Sequence, residues 1–174
     1  MFTKGYMKIT IDACTLIYLA KAGLLDFLKR LPYEYIIDEE VYSESVVKGM
    51  EEGYSDAYLI KYFIEKQKII KIIEVDISKE INYFIGEGEA STYVLSAEKN
   101  AIAITSDKVA YKKMFKRNAR VVQTDLMFLN AYLKNFISKK ELLDVLNRLL
   151  TVGGTTPERI AFILEKIGEE DEEK

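Results

Sequence analysis

An α/β fold built on a mostly parallel sheet is what this sequence predicts, and three observations carry the expectation. Short strand-like runs alternate with helical periodicities along most of the chain. The run Ala101 to Thr105 is apolar and bounded by polar residues, as a strand buried on both faces of a parallel sheet should be. Carboxylates follow two of the strand runs, Asp12 directly after Ile11 and Asp107 just beyond Thr105. Ligands of open parallel sheets bind beyond the carboxyl ends of the strands, so both acids are site candidates.

Length and composition narrow the field. A chain of 174 residues is about one domain long and can bury roughly two thirds of its unfolded surface. Residues 1–168 are expected to form one domain, with a core over about 7–123, a helical extension over 125–168 and an acidic frayed tail over 169–174. No apolar run approaches a membrane span and none resembles a secretory leader, so a cytoplasmic protein without a membrane partner is expected. Histidine is absent, which excludes histidine triads, histidine bases and histidine-ligated zinc. Hydrolytic chemistry must then rest on carboxylates, lysines, tyrosines or a hard metal ion. The single cysteine, Cys14, rules out an internal disulfide and reads as a small buried residue rather than a nucleophile. A net charge of −3 offers nucleic acid no global attraction, so binding there needs a local patch. Abundant Lys, Glu, Ile and Tyr with scarce Gln lean towards a thermophile.

The elements follow in order. Lys8 to Ile11 reads as a strand, and a helical pattern runs from Thr15 through Leu16, Leu19, Ala20, Leu24, Phe27 and Leu28 to about Leu31. Tyr35 to Ile37 is a second strand, with Asp38 an N-cap for a helix over Glu39 to Met50. On that helix Val41, Glu44, Ser45 and Lys48 share a face, which turns Glu44 inward, while Glu39 and Glu40 complement the dipole. Gly53 ends it and Ser55 is the expected cap of the next helix, whose Tyr58 and Tyr62 form an aromatic stripe suited to core or interface. Ile69 to Val75 reads as an edge strand, and Ser78 to Ile85 as a short helix.

Gly86 to Asp107 is the informative stretch. A helix over about Glu87 to Lys99 carries Ala90, Val94 and Ala97 on one side and Glu89 in its first turn, and the strand Ala101 to Thr105 leads to Asp107. Taken alone, Glu89 is equally a dipole partner and Asp107 equally a helix cap. Beyond Asp107, Lys108, Lys112, Lys113, Lys116, Arg117 and Arg120 lie in a segment with no acid, with Val109 and Met114 turned to the sheet. That segment suits either a solvated helix or an edge contacting phosphates. Arg120 to Gln123 is the last strand. Helices over Asp125 to Lys134, Ser138 to Leu150 and Thr156 to Ile167 follow, the second with a Ser138/Glu141 capping box, and together they should cover a sheet edge or form a dimer surface.

Asp12, Glu44, Glu89 and Asp107 therefore have comparable placements. Two carboxylates ~4 Å apart repel by roughly 4 kcal/mol at an effective dielectric near 20, so their convergence requires a divalent cation. All-oxygen ligation suits Mg²⁺ or Mn²⁺, and such a site would orient water for attack on a phosphodiester.

The same positions carry a family resemblance. The run Ile11 to Lys21 resembles the opening motif of PIN-domain proteins, and Val41 to Glu44 resembles their second acidic motif. Gly86 to Ala90 and Ile104 to Asp107 resemble the third and fourth, in order. The resemblance covers about Met7 to Gln123 and implies a three-layer α/β/α fold with a central parallel sheet. It also implies Mg²⁺- or Mn²⁺-dependent endoribonuclease activity, of a VapC-like toxin or an RNA-processing enzyme, with Asp12, Glu44, Glu89 and Asp107 as catalytic and metal-binding acids. Thr105 or Ser106 would hydrogen-bond the site or its water, and the basic stretch, read from its charge, offers Lys108, Lys112, Lys113, Lys116 and Arg117 as RNA contacts. An antitoxin protein and a second copy of the chain are the further partners that it implies. Two departures stand out: Ala13 and Cys14 where a hydroxyl residue is often found, and Ser106 where some relatives have another acid. The rivals are a non-catalytic RNA-binding or protein-interaction module and a phosphotransferase using Asp12, the latter disfavoured by Cys14 where a second aspartate would stand.

Overall fold

The computed structural model of the chain describes residues 7–172. Five strands, β1 (Met7–Ile11), β2 (Tyr33–Ile37), β3 (Ile70–Ile72), β4 (Ile102–Thr105) and β5 (Val121–Gln123), form one sheet in the order β3-β2-β1-β4-β5. Every pairing is parallel. The chain builds outward from β1 through β2 to β3, then returns to lay β4 on the other side of β1 and β5 beyond it. The β1–β4 junction is thus the topological switch point, where the connections part and leave a crevice past the strand ends.

Alternation along the strands separates two cores. Ile9, Ile11, Tyr35, Ile37, Ile70 and Ile104 face a large apolar layer containing α1 (Ala13–Lys21), α2 (Leu25–Arg30), α5 (Ser55–Glu65), α8 (Thr124–Leu133) and α9 (Lys139–Val152), with α10 (Pro157–Glu172) behind. On the other face, Ala103 packs with Ala90 of α6 (Glu87–Glu98) and with Ala110 and Met114 of α7 (Lys108–Lys116). Ile36 packs there with Leu95 and Ala101. The architecture is the expected three-layer α/β/α. Leu142, Leu146 and Leu149 of α9 are at most 1% exposed, and each such burial contributes roughly 1.5–3 kcal/mol. The C-terminal helices therefore join the layer around α1. Among the described residues, no helix is long and apolar enough to cross a membrane.

Several local expectations are corrected. The helix expected from Thr15 to Leu31 is two, because Gly23 takes a left-handed φ of +66° between α1 and α2. The helix over Glu39 to Met50 is interrupted: α3 (Glu39–Tyr42) and α4 (Lys48–Glu51) flank a π-helical turn at Ser43–Val47. The extra residue lets consecutive Ser45 and Val46 both be buried, and it leaves Lys48 exposed. Tyr54, not Ser55, is the N-cap of α5. The strand at Ile69 to Val75 shortens to β3, and residues 78–83 are turns rather than a helix. Val109 is 49% exposed instead of facing the sheet, whereas Met114 is buried. Helix α10 runs through Glu172 into the stretch expected to fray, and residues 173–174 of that stretch lie outside the described residues.

Candidate active site

Four strands are each followed within two residues by an aspartate at or near the start of the next helix, and the hydrogen bonds of these acids tell them apart. Asp38, after β2, is buried and fully engaged, accepting from Glu40 N at 2.7 Å and from Val75 N at 3.2 Å. Asp125, after β5, is 1% exposed and held by Thr155 Oγ1 at 2.5 Å, by Arg159 Nε at 2.6 Å and by a second guanidinium contact. These two are structural. Asp12 and Asp107, at the switch point between β1 and β4, have no such cation among the described residues. Asp12 caps α1 by accepting from Thr15 N at 2.8 Å. Asp107 caps α7 through Oδ1 alone, which accepts from Val109 N and Ala110 N at 2.7 Å each.

Thr105 ties this pair together. Its buried hydroxyl accepts from Asp107 N at 3.0 Å and supports the Asp12 carboxylate by a further hydrogen bond. Ser106 lies one residue on, in a ring of hydroxyls: its N–H donates to Thr15 Oγ1 at 2.7 Å and its Oγ pairs with Thr124 Oγ1 at 2.7 Å. The ring binds the ends of β1, β4 and β5 together behind the acids.

Glu89 enters from α6. Its carboxylate accepts from Ile85 N at 3.4 Å. Burial, then the charge of Asp107 and that of Asp12, push its carboxyl above the ordinary carboxylate range, against the pull of the Ile85 N–H and of Lys113. The Asp12 carboxyl is raised as well, first by burial and finally by Asp107, despite its threonine partners. Cys14, half-buried beside them, is pushed up to about 11 by burial and then by the charges of Asp12, Asp107 and Glu89, with Tyr18 opposing. A thiol so placed stays protonated and is no nucleophile. The charge of Asp107 thus acts on both Asp12 and Glu89, and that of Asp12 on Glu89.

Glu44 arrives from the π turn and meets the first turn of α6. Its Oε1 accepts from Gly88 N at 3.2 Å, and Gly88 is buried against it. Glu44 also adds to the charge around Glu40 and Glu87, which together with burial raises the Glu40 carboxyl. The structure thus brings Asp12, Glu89 and Asp107 together and sets Glu44 one residue of α6 away, engaged with the backbone.

The cations are divided. Lys108, Lys112 and Lys116 are exposed on α7. Lys113 donates to the Tyr83 carbonyl at 3.1 Å. Arg117 is turned inward, paired with Glu80 at 2.5 Å and set over the rings of Tyr83 and Tyr93. Asp125 follows β5 as Asp107 follows β4, but the sequence marks it only as the start of a helix. Beside it a cavity of about 430 Å³, lined by Ser106, Lys108, Gln123, Asp125, Thr156 and Arg159 among others, opens next to the acids.

The donor set is all oxygen, which fits a hard divalent cation such as Mg²⁺ or Mn²⁺. Among the described residues no three acidic side chains already stand around one point at ligating distance. Glu44 and Glu89 are each held by a long backbone hydrogen bond, 3.2 Å and 3.4 Å, near or beyond the long end of the normal range. The residues fit such a group in the chemistry of their donors.

No curated protein matches the chain. Among solved structures, a domain of a functionally unknown protein from Methanocaldococcus jannaschii DSM 2661 is similar at 20% identity, covering 67% of this chain and 90% of that one with a TM-score of 0.49. That likeness is too loose to carry function. A family model described as PIN domain matches residues 8–169, from β1 into α10 and across every acid at the switch point. The chain belongs to the PIN-domain family, whose members are generally nucleases acting on phosphodiester bonds.

Proposed function

We propose that this chain is a divalent-metal-dependent endoribonuclease whose metal-holding acids are Asp12, Glu44, Glu89 and Asp107. The observation that carries the reading is the gathering of Asp12, Glu89 and Asp107 at the β1–β4 switch point, where the charge of Asp107 bears on the other two and burial disfavours their ionised forms unless a cation is bound. A divalent ion bound there supplies activated water and stabilises negative charge on the leaving oxygen. Asp12, buried and fixed by Thr15 and Thr105, is the rigid member of the set. Thr105 couples Asp107 to Asp12, and the Ser106–Thr15–Thr124 hydroxyls hold the three strand ends in register. Lys113 offsets part of the charge at Glu89. A VapC-like toxin and an RNA-processing enzyme share this chemistry, and co-purification of an antitoxin protein separates them.

One observation favours a second reading, a non-catalytic RNA-binding module: Ser106 offers a hydroxyl already engaged with Thr15 and Thr124 where some relatives have an acid. Incubating a mixed RNA pool with the protein and Mn²⁺, then mapping the ends, decides between them. The nuclease reading expects discrete cleavage sites, abolished by EDTA and by Asp12→Asn. Full cleavage by Asp12→Asn overturns the assignment of the acids, and an intact pool favours the module.

A further inference from the structure

Helix α7 starts at Asp107 and carries Lys108, Tyr111, Lys112, Phe115 and Lys116 at spacings of three and four residues, which is one face of a helix. The face is turned to solvent: the three lysines are exposed, Tyr111 is half-buried and Phe115 is 62% exposed. Ala110 and Met114, on the opposite side, are the residues packed against the sheet. The rings of Tyr111 and Phe115 lie nearly parallel, 16° apart with centroids 6.0 Å from each other. No acid interrupts α7 from Lys108 to Lys116, although the chain as a whole is acidic at a net −3.

Neither a solvated face nor a protein interface accounts for this stripe. A solvated lysine helix does not account for two near-parallel rings standing between exposed lysines. Lysine is depleted at protein–protein interfaces, and apposing this face with a second copy would set lysines against lysines. Aromatic faces interleaved with lysines match a strand whose bases are free to stack and whose backbone is anionic, whereas a duplex hides its base faces. Arg117, committed to Glu80, Tyr83 and Tyr93, anchors the helix rather than serving the strand.

We infer that the outer face of α7 is a platform for single-stranded RNA, with bases stacking on Phe115 and Tyr111 and phosphates against Lys112 and Lys116. Lys108 stands at the end nearest the acids and hands the strand to them. The choice of RNA rests on the ribonuclease reading; the platform does not.

The test is fluorescence anisotropy of a labelled single-stranded RNA with the full-length protein in EDTA, where cleavage is silent, against the same RNA annealed to its complement. The single strand is expected to bind more tightly. Phe115→Ala should weaken it roughly 10- to 100-fold, the effect of losing one stacked base, and Phe115→Trp should restore it. Replacing Lys112 and Lys116 together by Ala should flatten the salt dependence by a slope of about 1.4. Unchanged binding in Phe115→Ala, or equal binding of the duplex, overturns the platform. So does a concentration-dependent dimer in sedimentation that Phe115→Ala abolishes, which assigns the face to a second copy. Binding with these effects but no cleavage in Mn²⁺ keeps the platform and removes the nuclease reading; cleavage indifferent to Phe115→Ala does the reverse.

Discussion

A Cβ on residue 88 would stand 2.7 Å from Oε2 of Glu44 and 3.0 Å from its Cδ. Something must shift to relieve such contacts, so the missing Cβ at Gly88 is what leaves room for the Glu44 carboxylate against α6. Gly88→Ala gains about 1 kcal/mol of helix propensity and displaces only the flexible end of a side chain. Its melting temperature should change by no more than about 3 °C. RNA cleavage should fall on the order of 100-fold, the effect of moving a positioning group by about an ångström. A kinetic assay beside a thermal melt checks this, and undiminished cleavage in Gly88→Ala contradicts the place given to Glu44. Asp12 and Asp107 were legible in the sequence because a strand-end acid is a local pattern. The Glu44–Gly88 contact was not, since it joins residues far apart in the chain.

At the scale of elements, α9 shows a cap tuned by charge. Ser138 and Glu141 form the expected capping box, and Arg30 at the end of α2 pairs with Glu141 at 2.7 Å. The Ser138 N–H, then Arg30, then the Ser138 hydroxyl hold the Glu141 carboxyl down at about 2, from an ordinary 4.5. A lowered carboxyl stabilises the fold fully above the unfolded value and loses that contribution as pH falls through the folded one. Glu141→Gln should therefore melt below the wild type at neutral pH, with the gap closing between pH 4.5 and about 2. A gap that persists unchanged in acid contradicts the charge-based account. The capping box was readable because all its partners lie within one turn. The break at Gly23 and the π turn at Ser43–Val47 were not, because helical periodicity runs on through both and only tertiary packing selects the interruption. The turns over 78–83 replaced an expected helix for a similar reason: Asp76 caps Ser78 N at 2.9 Å, and Glu80 is drawn to Arg117.

Across the whole molecule, the parallel sheet order puts β1 and β4 side by side at the switch point, and that adjacency makes one site of acids from distant parts of the chain. The C-terminal helices complete the surroundings, since Thr155 and Arg159 lock Asp125 and leave a cavity beside Ser106. The fold class was legible from alternation and strand burial; the Asp125–Arg159 lock was not, as no local pattern marks Arg159. Asp12 pays for its position: its carboxyl is raised by burial, so the ionised form weakens the fold above that raised value, and a bound cation would reverse the sign. Asn caps a helix as well as Asp does, so Asp12→Asn removes the charge and keeps the cap. The direct measurement is thermal melting of the wild type and Asp12→Asn across a Mn²⁺ titration at neutral pH. Without the ion the variant should melt higher, by about 2–4 °C for each kcal/mol relieved. Mn²⁺ at about 100 times its dissociation constant should then stabilise the wild type by roughly 2.7 kcal/mol and leave the variant unmoved. An equal Mn²⁺ shift in both proteins, or none in either, would contradict a divalent-cation site at the switch point.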